Sequence, residues 1–454
     1  MNRPIRYVGA ATSTFQSEPL SEDENGQDRF LSDWNYWVSR QGVASTMVPH
    51  FSRHFLEYVS FLKALGGNVF RLSLEPEIVP RPGAFDERVM EEYVRKFITL
   101  RLHGIEPFVT INHYTLPMYL TGFDRHTGDI ARSGWEHPTA LQYFHTLVQG
   151  VAAFLTDADK VRAVMREMEI ERIMQDRLIG EGLAQYFMTI NEPMAVAGHG
   201  NVLGIFPPHR KGRLDIARRV LRTLVAAHDI AYDVLKEATH HANKEALVGV
   251  GHNWQFHDGV GSSFFRGVEH YVADTFERDG SFSDFIGLQY YCRTDDFSRG
   301  HRAGGMGRYL DWGDVYPAGI HAVLTDMSTR YVGKPVWVTE FGFSDKHDFV
   351  RPHLILETMS HIRVAHRDGV PVEGILLWTL AHNFEWVKGM SEYFGLVAEA
   401  ELPMPLVKKP GEIRSWEAWR AVTSAVLNPS PGTRAVLENA SRLAAHQYRR
   451  MGGT

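Results

Sequence analysis

The run YFMTIN at Tyr186–Asn191, broken by Glu192-Pro193, decides the reading of this 454-residue chain, together with PVWVTEFG at Pro335–Gly342. Both are short and almost continuously apolar, the pattern of strands covered on both faces. Working outward, six more runs of this kind precede, separate and follow them: Arg6–Ala11, Asn68–Leu74, Pro107–Asn112, Ala246–Asn253, Phe285–Tyr291 and Gly374–Leu380. Amphipathic stretches lie between them, among them His54–Leu65, Glu91–His103, Leu141–Leu155 and Leu214–Ala238. Gly66-Gly67 and Gly104 follow two of these, where helix C-caps are found. Eight strand-then-helix units predict an α/β chain folded as a (β/α)8 TIM barrel with elaborated βα loops. A doubly wound open sheet is disfavoured, because no GxGxxG follows the first strand.

Two stretches stand outside the alternation. Ser17–Val48 is polar and acidic with Trp34, Tyr36 and Trp37, and reads as a long βα loop on the upper face. Asp157–Glu181 reads as a charged helical insert before the fourth strand. Ser415–Leu427 reads as a closing helix, and Thr433–Arg450 as an Ala-rich, basic helical tail, so the expected division is a barrel domain over 1–430 and a tail over 431–454.

Composition removes several classes of function. Lys+Arg 48 against Asp+Glu 54 gives a net charge of −6 with no long basic run, which leaves nucleic-acid binding without an electrostatic footprint. The single cysteine, Cys292, excludes an intramolecular disulfide and a Cys-based zinc site. No stretch of eighteen apolar residues and no long apolar run at the start are present, so the expectation is a cytoplasmic protein outside the membrane. The histidines show no HExxH or comparable ligand spacing, and neither metal nor other cofactor is expected.

In such a barrel, polar residues at the C-terminal strand ends are the catalytic candidates. The ends read Asn112-His113, Asn191-Glu192, Gln289-Tyr290-Tyr291 and Thr339-Glu340, and strand eight leads from Trp378 into Asn383-Phe384-Glu385-Trp386. Glutamate is seldom buried without a partner. An ion pair with Arg71 would account for either Glu192 or Glu340 alone; two together, on strands four and seven, fit better with carboxylates flanking a glycosidic bond. At roughly 5–5.5 Å apart such a pair works as nucleophile and acid with retention of anomeric configuration. A charged group and a phenol beside one carboxylate favour its ionised form, and that charge raises the pKa of the other.

The chain resembles glycoside hydrolase family 1, the retaining β-glycosidases, over about residues 6–425. TINEP (189–193) is similar to that family's acid/base signature and VTEFG (338–342) to its nucleophile signature; GIEPFVTINHYTLP (104–117), WTLAHNFEW (378–386) and GAATSTFQSE (9–18) resemble its sugar-binding segments. FQSE, the SDWNYWV loop and GIFPP (204–208) are closest in wording to the archaeal-type branch. The resemblance implies Glu340 as nucleophile and Glu192 as acid/base, with Arg71 and Tyr291 holding the nucleophile. It implies Asn191 on the sugar 2-hydroxyl, Gln16, His113, Glu385 and Trp386 as a clamp on the other hydroxyls, and Trp378 as the aromatic floor. It departs from the family at Pro76 for Trp, Gln289 for Asn, His382 for an acidic residue, Phe341-Gly342 for Asn-Gly and Glu392-Tyr393 for Met-Arg.

The implied activity is exo-hydrolysis of terminal β-D-glucosides, with β-galactosides or β-fucosides also open, and the implied partner is a glycoside or oligosaccharide. Oligomeric state, homo-oligomer included, stays open. Glu385 would repel a 6-phosphosugar, and Glu192 in place of Gln disfavours a thioglucosidase. The alternatives are a transglycosylase using the same two glutamates and a non-catalytic carbohydrate-binding barrel.

Overall fold

The computed structural model describes residues 3–22, 28–29, 32–43, 48–258, 262–277, 283–294, 314–403 and 412–450. Eight parallel strands close on themselves in sequence order: β1 (Tyr7–Ala11), β2 (Val69–Ser73), β3 (Glu106–Asn112), β4 (Tyr186–Asn191), β5 (Leu247–Asn253), β6 (Phe285–Tyr290), β7 (Val336–Phe341) and β8 (Val372–Trp378), with β1 paired to both β2 and β8. The expected (β/α)8 barrel is therefore present, each strand within two residues of its sequence reading at either end. The outer ring consists of α1 (Phe55–Ala64), α2 (Glu87–Leu102), α3 (Ala140–Thr156), α4 (Leu214–His241), α5 (Ser262–Glu277), α6 (Gly319–Arg330), α7 (Arg351–Arg367) and α8 (Ser415–Leu427).

Aromatic side chains fill the lower part of the barrel interior. Trp337 lies at the centre, its ring 4.7 Å from that of Tyr186, 5.0 Å from Phe108 and 5.2 Å from Tyr7. Gly374 makes room for it: a Cβ there would fall 2.2 Å from the indole. A larger apolar layer, including Phe97, Leu147, Leu224 and Ile362, joins the strands to the helices. Strand register shifts near the C-terminal ends, between Met188 and Asn191 on β4, at Leu288/Gln289 on β6 and between Val338 and Phe341 on β7. Such irregularities re-aim side chains, and here they fall beside the two glutamates. Gly342, just past β7, approaches β8 so closely that a Cβ would lie 2.1 Å from the Trp378 carbonyl oxygen.

The stretch read as one long loop, Ser17–Val48, holds a helix at Asp33–Arg40 instead; its residues 23–27, 30–31 and 44–47 lie outside the described residues. Ser32 and Asn35 form a reciprocal capping box at its start, and Trp34 and Val38, one turn apart, are buried. The charged insert is two helices, Ala158–Glu167 and Arg172–Glu181, separated where Glu169 takes a positive φ. The tail helix, Pro431–Arg450, docks on α7 and α8 through buried Ala440, Ala444 and Gln447. Gln447 donates to the Phe349 carbonyl at 2.9 Å and accepts from the Ile413 N–H at 3.1 Å. Among the described residues no helix is long and apolar enough to cross a membrane.

Candidate active site

A cavity of about 510 Å³ opens at the C-terminal end of the strands, and Glu192 and Glu340 both line it. The sequence-predicted residues Gln16, His113, Asn191, Tyr291, Trp378, Glu385 and Trp386 line it as well, while Arg71 lies fully buried behind them.

Arg71 organises the floor. Its five N–H donors meet five acceptors: Thr110 Oγ1 at 2.8 Å, the Thr339 carbonyl at 3.2 Å, Glu340 Oε1 at 2.5 Å, Asn191 Oδ1 at 2.6 Å and His113 Nδ1 at 3.3 Å. Guanidinium only donates, so His113 accepts through Nδ1 and carries its proton on Nε2. Burial, reinforced by the neighbouring arginine, holds the His113 pKa well below the ordinary imidazole value, so the ring is neutral. Gln289 Nε2 donates to Asn191 Oδ1 at 2.6 Å and to Glu340 Oε1 at 2.9 Å. With Oδ1 of Asn191 taken by two donors, its Nδ2 is the amide atom left for a ligand.

The two carboxyl groups differ in their surroundings. Glu340 pairs with Arg71 and accepts from the Tyr291 hydroxyl at 2.6 Å on its other oxygen. Burial pushes its pKa up, opposed by Arg71 and by the Tyr291 hydrogen bond. The net shift is therefore opposite to what the arginine and phenol alone predict, because desolvation is the largest effect. Glu192 sits at φ 43°, in the left-handed region, at the start of the short helix Pro193–Asn201. It accepts from Asn253 Nδ2 at 3.0 Å and from the Tyr114 hydroxyl, and no cation touches it among the described residues. Burial, then the Glu340 charge, push its pKa up to about 8. Of the two, Glu192 holds the proton near neutrality.

The far wall is the clamp. Glu385 accepts from Gln16 Nε2 at 3.2 Å and Asn383 Nδ2 at 3.1 Å, and burial, with the Glu340 charge adding to it, pushes its pKa up to about 8. Gln16 Oε1 is buried with no protein partner among the described residues, an acceptor available to a polar ligand. Trp378 and Trp386 both stack on His113, with ring centroids 6.0 and 5.9 Å away. Trp386 is also packed on Phe15 at 5.2 Å and Trp34 at 4.6 Å, so it serves the loop core and the cavity at once. All ten sequence-predicted site residues thus converge on one place.

Two residues in contact with the glutamates, Tyr114 and Asn253, escaped the sequence reading. Tyr114 follows His113 directly. Asn253 ends β5, a strand end absent from the candidates, though the rule that selected the others selects it too. Gln289, which the sequence shows both at a strand end and as a departure from the family, is brought onto Glu340 Oε1. Tyr114 supplies a first prediction. Its hydroxyl stabilises the Glu192 carboxylate, so Tyr114→Phe removes a donor from the charged form and raises the Glu192 pKa further. The basic limb of the kcat/KM profile then moves to higher pH; an unmoved limb, or one displaced downward, would contradict the contact. Among the described residues no group of three or more His, Cys, Asp or Glu is arranged to hold a metal ion.

The sequence model described as glycosyl hydrolase family 1 matches residues 6–180 and 265–400. A β-galactosidase of Saccharolobus solfataricus is 26% identical, the alignment covering 86% of this chain and 89% of that protein. The chloroplastic galactolipid galactosyltransferase SFR2 of Arabidopsis thaliana is also 26% identical, over 75% of this chain and 53% of its own length. The crystal structure of a hyperthermophilic β-glucosidase from Pyrococcus furiosus superposes with a TM-score of 0.76 at 21% identity, covering 99% of each chain.

Proposed function

The chain belongs to glycosyl hydrolase family 1, and from that premise we propose that it is a retaining, exo-acting β-glycosidase that hydrolyses terminal β-D-glucosides, β-galactosides and β-fucosides being further candidates. The observation that carries the reading is the unlike pair in one cavity: Glu340 bound to Arg71, and Glu192 held protonated with no cation against it among the described residues.

In the proposed reaction Glu340 attacks the anomeric carbon while Glu192 protonates the departing oxygen, leaving a glycosyl ester on Glu340. Asn191 Nδ2 donates to the sugar 2-hydroxyl, a contact that strengthens as positive charge develops on the ring. Neutral His113 donates through Nε2, Gln16 and Glu385 hold the remaining hydroxyls, and Trp378 and Trp386 bound the ring. Esterification cancels the Glu340 charge that helped hold the proton on Glu192. The Glu192 pKa then falls, and the carboxylate takes a proton from the incoming water. The catalytic unit is assigned to 1–430, with 431–454 as an appended tail.

Two outcomes test this. Following hydrolysis of a β-glucoside by anomer-resolved NMR, β-glucose is expected first, with the α-anomer appearing only by mutarotation; α-glucose first would contradict double displacement. The acid must be protonated to act, so kcat/KM on a phenyl glucoside falls by about tenfold per pH unit above about 8, as Glu192 loses its proton. A flat profile to pH 10 would remove Glu192 from the acid role.

Transfer to an alcohol instead of water would use the same two glutamates, and a galactosyltransferase among the relatives gives that second reading its support. Added glycerol would then divert product from free sugar to glyceryl glycoside.

A further inference from the structure

Gln255 belongs to none of the roles above, yet it touches both halves of the site. It lies two residues past β5, before Phe256–His257, which pairs with Arg293–Thr294 above the barrel. Its Oε1 accepts from the backbone N–H of Tyr291 at 3.0 Å and of Cys292 at 2.8 Å. Its Nε2 donates to Asn253 Oδ1 and, at 3.4 Å, to the Gln289 carbonyl. The Gln255 backbone is itself held, its N–H donating to Glu269 Oε1 at 3.2 Å, and the other Glu269 oxygen lies 2.8 Å from His257 Nε2.

We propose that Gln255 is a positioning residue that couples the two catalytic carboxylates, acting on Glu192 through Asn253 and on Glu340 through Tyr291; this rests on the roles given to those glutamates above. The polarity of the amides decides it. Two backbone N–H groups fix which end of Gln255 is the oxygen, so its nitrogen faces Asn253. Asn253 must then accept through Oδ1 and turn Nδ2 toward Glu192 Oε1. That oxygen is thereby held as an acceptor from Asn253, opposite Oε2, which accepts from the Tyr114 hydroxyl. Without Gln255 the Asn253 amide is free to flip and offer a carbonyl oxygen to a carboxyl group. On the other side, the N–H groups of Tyr291 and Cys292 are caught just as the chain leaves β6, which sets the phenol on Glu340 Oε2.

Two substitutions separate the two ends. Gln255→Glu keeps an acceptor for the backbone N–H groups but removes the donor to Asn253; Gln255→Met removes both. Two substrates report on them: 2,4-dinitrophenyl β-glucoside, whose leaving group departs without a proton, and phenyl β-glucoside, which needs one. For Gln255→Glu the kcat/KM loss on the phenyl substrate is expected to exceed that on the dinitrophenyl substrate by about tenfold. Gln255→Met is expected to lose about tenfold or more on both, the Glu variant recovering the dinitrophenyl activity relative to it. Equal losses by Gln255→Glu on the two substrates, or losses under about twofold by both variants, overturn the coupling and leave the glycosidase reading intact. Failure of the unsubstituted enzyme to turn over either substrate overturns both.

Discussion

Glu340→Gln is expected to lower kcat/KM on an aryl β-glucoside by about 10⁴-fold or more, a loss of at least about 5 kcal/mol of transition-state stabilisation. The size follows from what the side chain does. An amide of the same shape fills the cavity but offers no anionic oxygen to the anomeric carbon, so the covalent route closes. The substitution also removes the negative charge facing the fully buried Arg71. Breaking a buried pair on one side costs about 3–5 kcal/mol, so a fall in melting temperature accompanies the loss of activity. Stability and catalysis are separable: the shorter Glu340→Ala variant, supplied with azide, should regain turnover and yield the α-glycosyl azide, because the small anion attacks from the vacated face. Turnover within about tenfold of the unsubstituted enzyme would remove Glu340 from the nucleophile role.

The second large effect is expected at Glu192, and its signature is a dependence on the leaving group. General acid–base assistance contributes about 10²–10⁴-fold, and Glu192→Ala should lose an amount in that range on phenyl β-glucoside. On the dinitrophenyl substrate the first half-reaction needs no proton and survives. The second half-reaction lacks its base, so the glycosyl-enzyme accumulates, a burst of dinitrophenolate appears and KM falls. Azide restores turnover here too, this time giving the β-glycosyl azide, since it attacks the intermediate from the side Glu192 leaves open. The opposite configurations of the two azide products tie each glutamate to its own face of the sugar. Equal losses on both aryl substrates would contradict the assignment.

Much of this was legible in the sequence because parallel barrel strands are covered on both faces and write themselves as short apolar runs. The interruptions in those runs then marked the cavity: Glu192 and Glu340 stood out because an acidic residue closing an apolar strand needs a reason. What escaped detection is local hydrogen-bond geometry. Tyr114, Asn253 and Gln255 act through which amide or hydroxyl atom faces which, and neither periodicity nor spacing carries that. Asp33–Arg40 reads as loop because the stretch around it is polar and acidic, whereas its burial of Trp34 and Val38 and its Ser32–Asn35 cap show only in the folded chain. The net pKa direction of Glu340 was likewise beyond reach, since its largest cause is the depth of burial, which only the folded structure reveals.

Trapping the intermediate tests the central claim most directly. Incubation with 2,4-dinitrophenyl 2-deoxy-2-fluoro-β-glucoside, followed by intact-protein and peptide mass spectrometry, is expected to show one added fluoroglucosyl group, on the peptide carrying Val338-Thr339-Glu340-Phe341-Gly342 and at Glu340 itself. An enzyme that hydrolyses aryl β-glucosides yet forms no adduct, or carries it on another residue, would contradict the account.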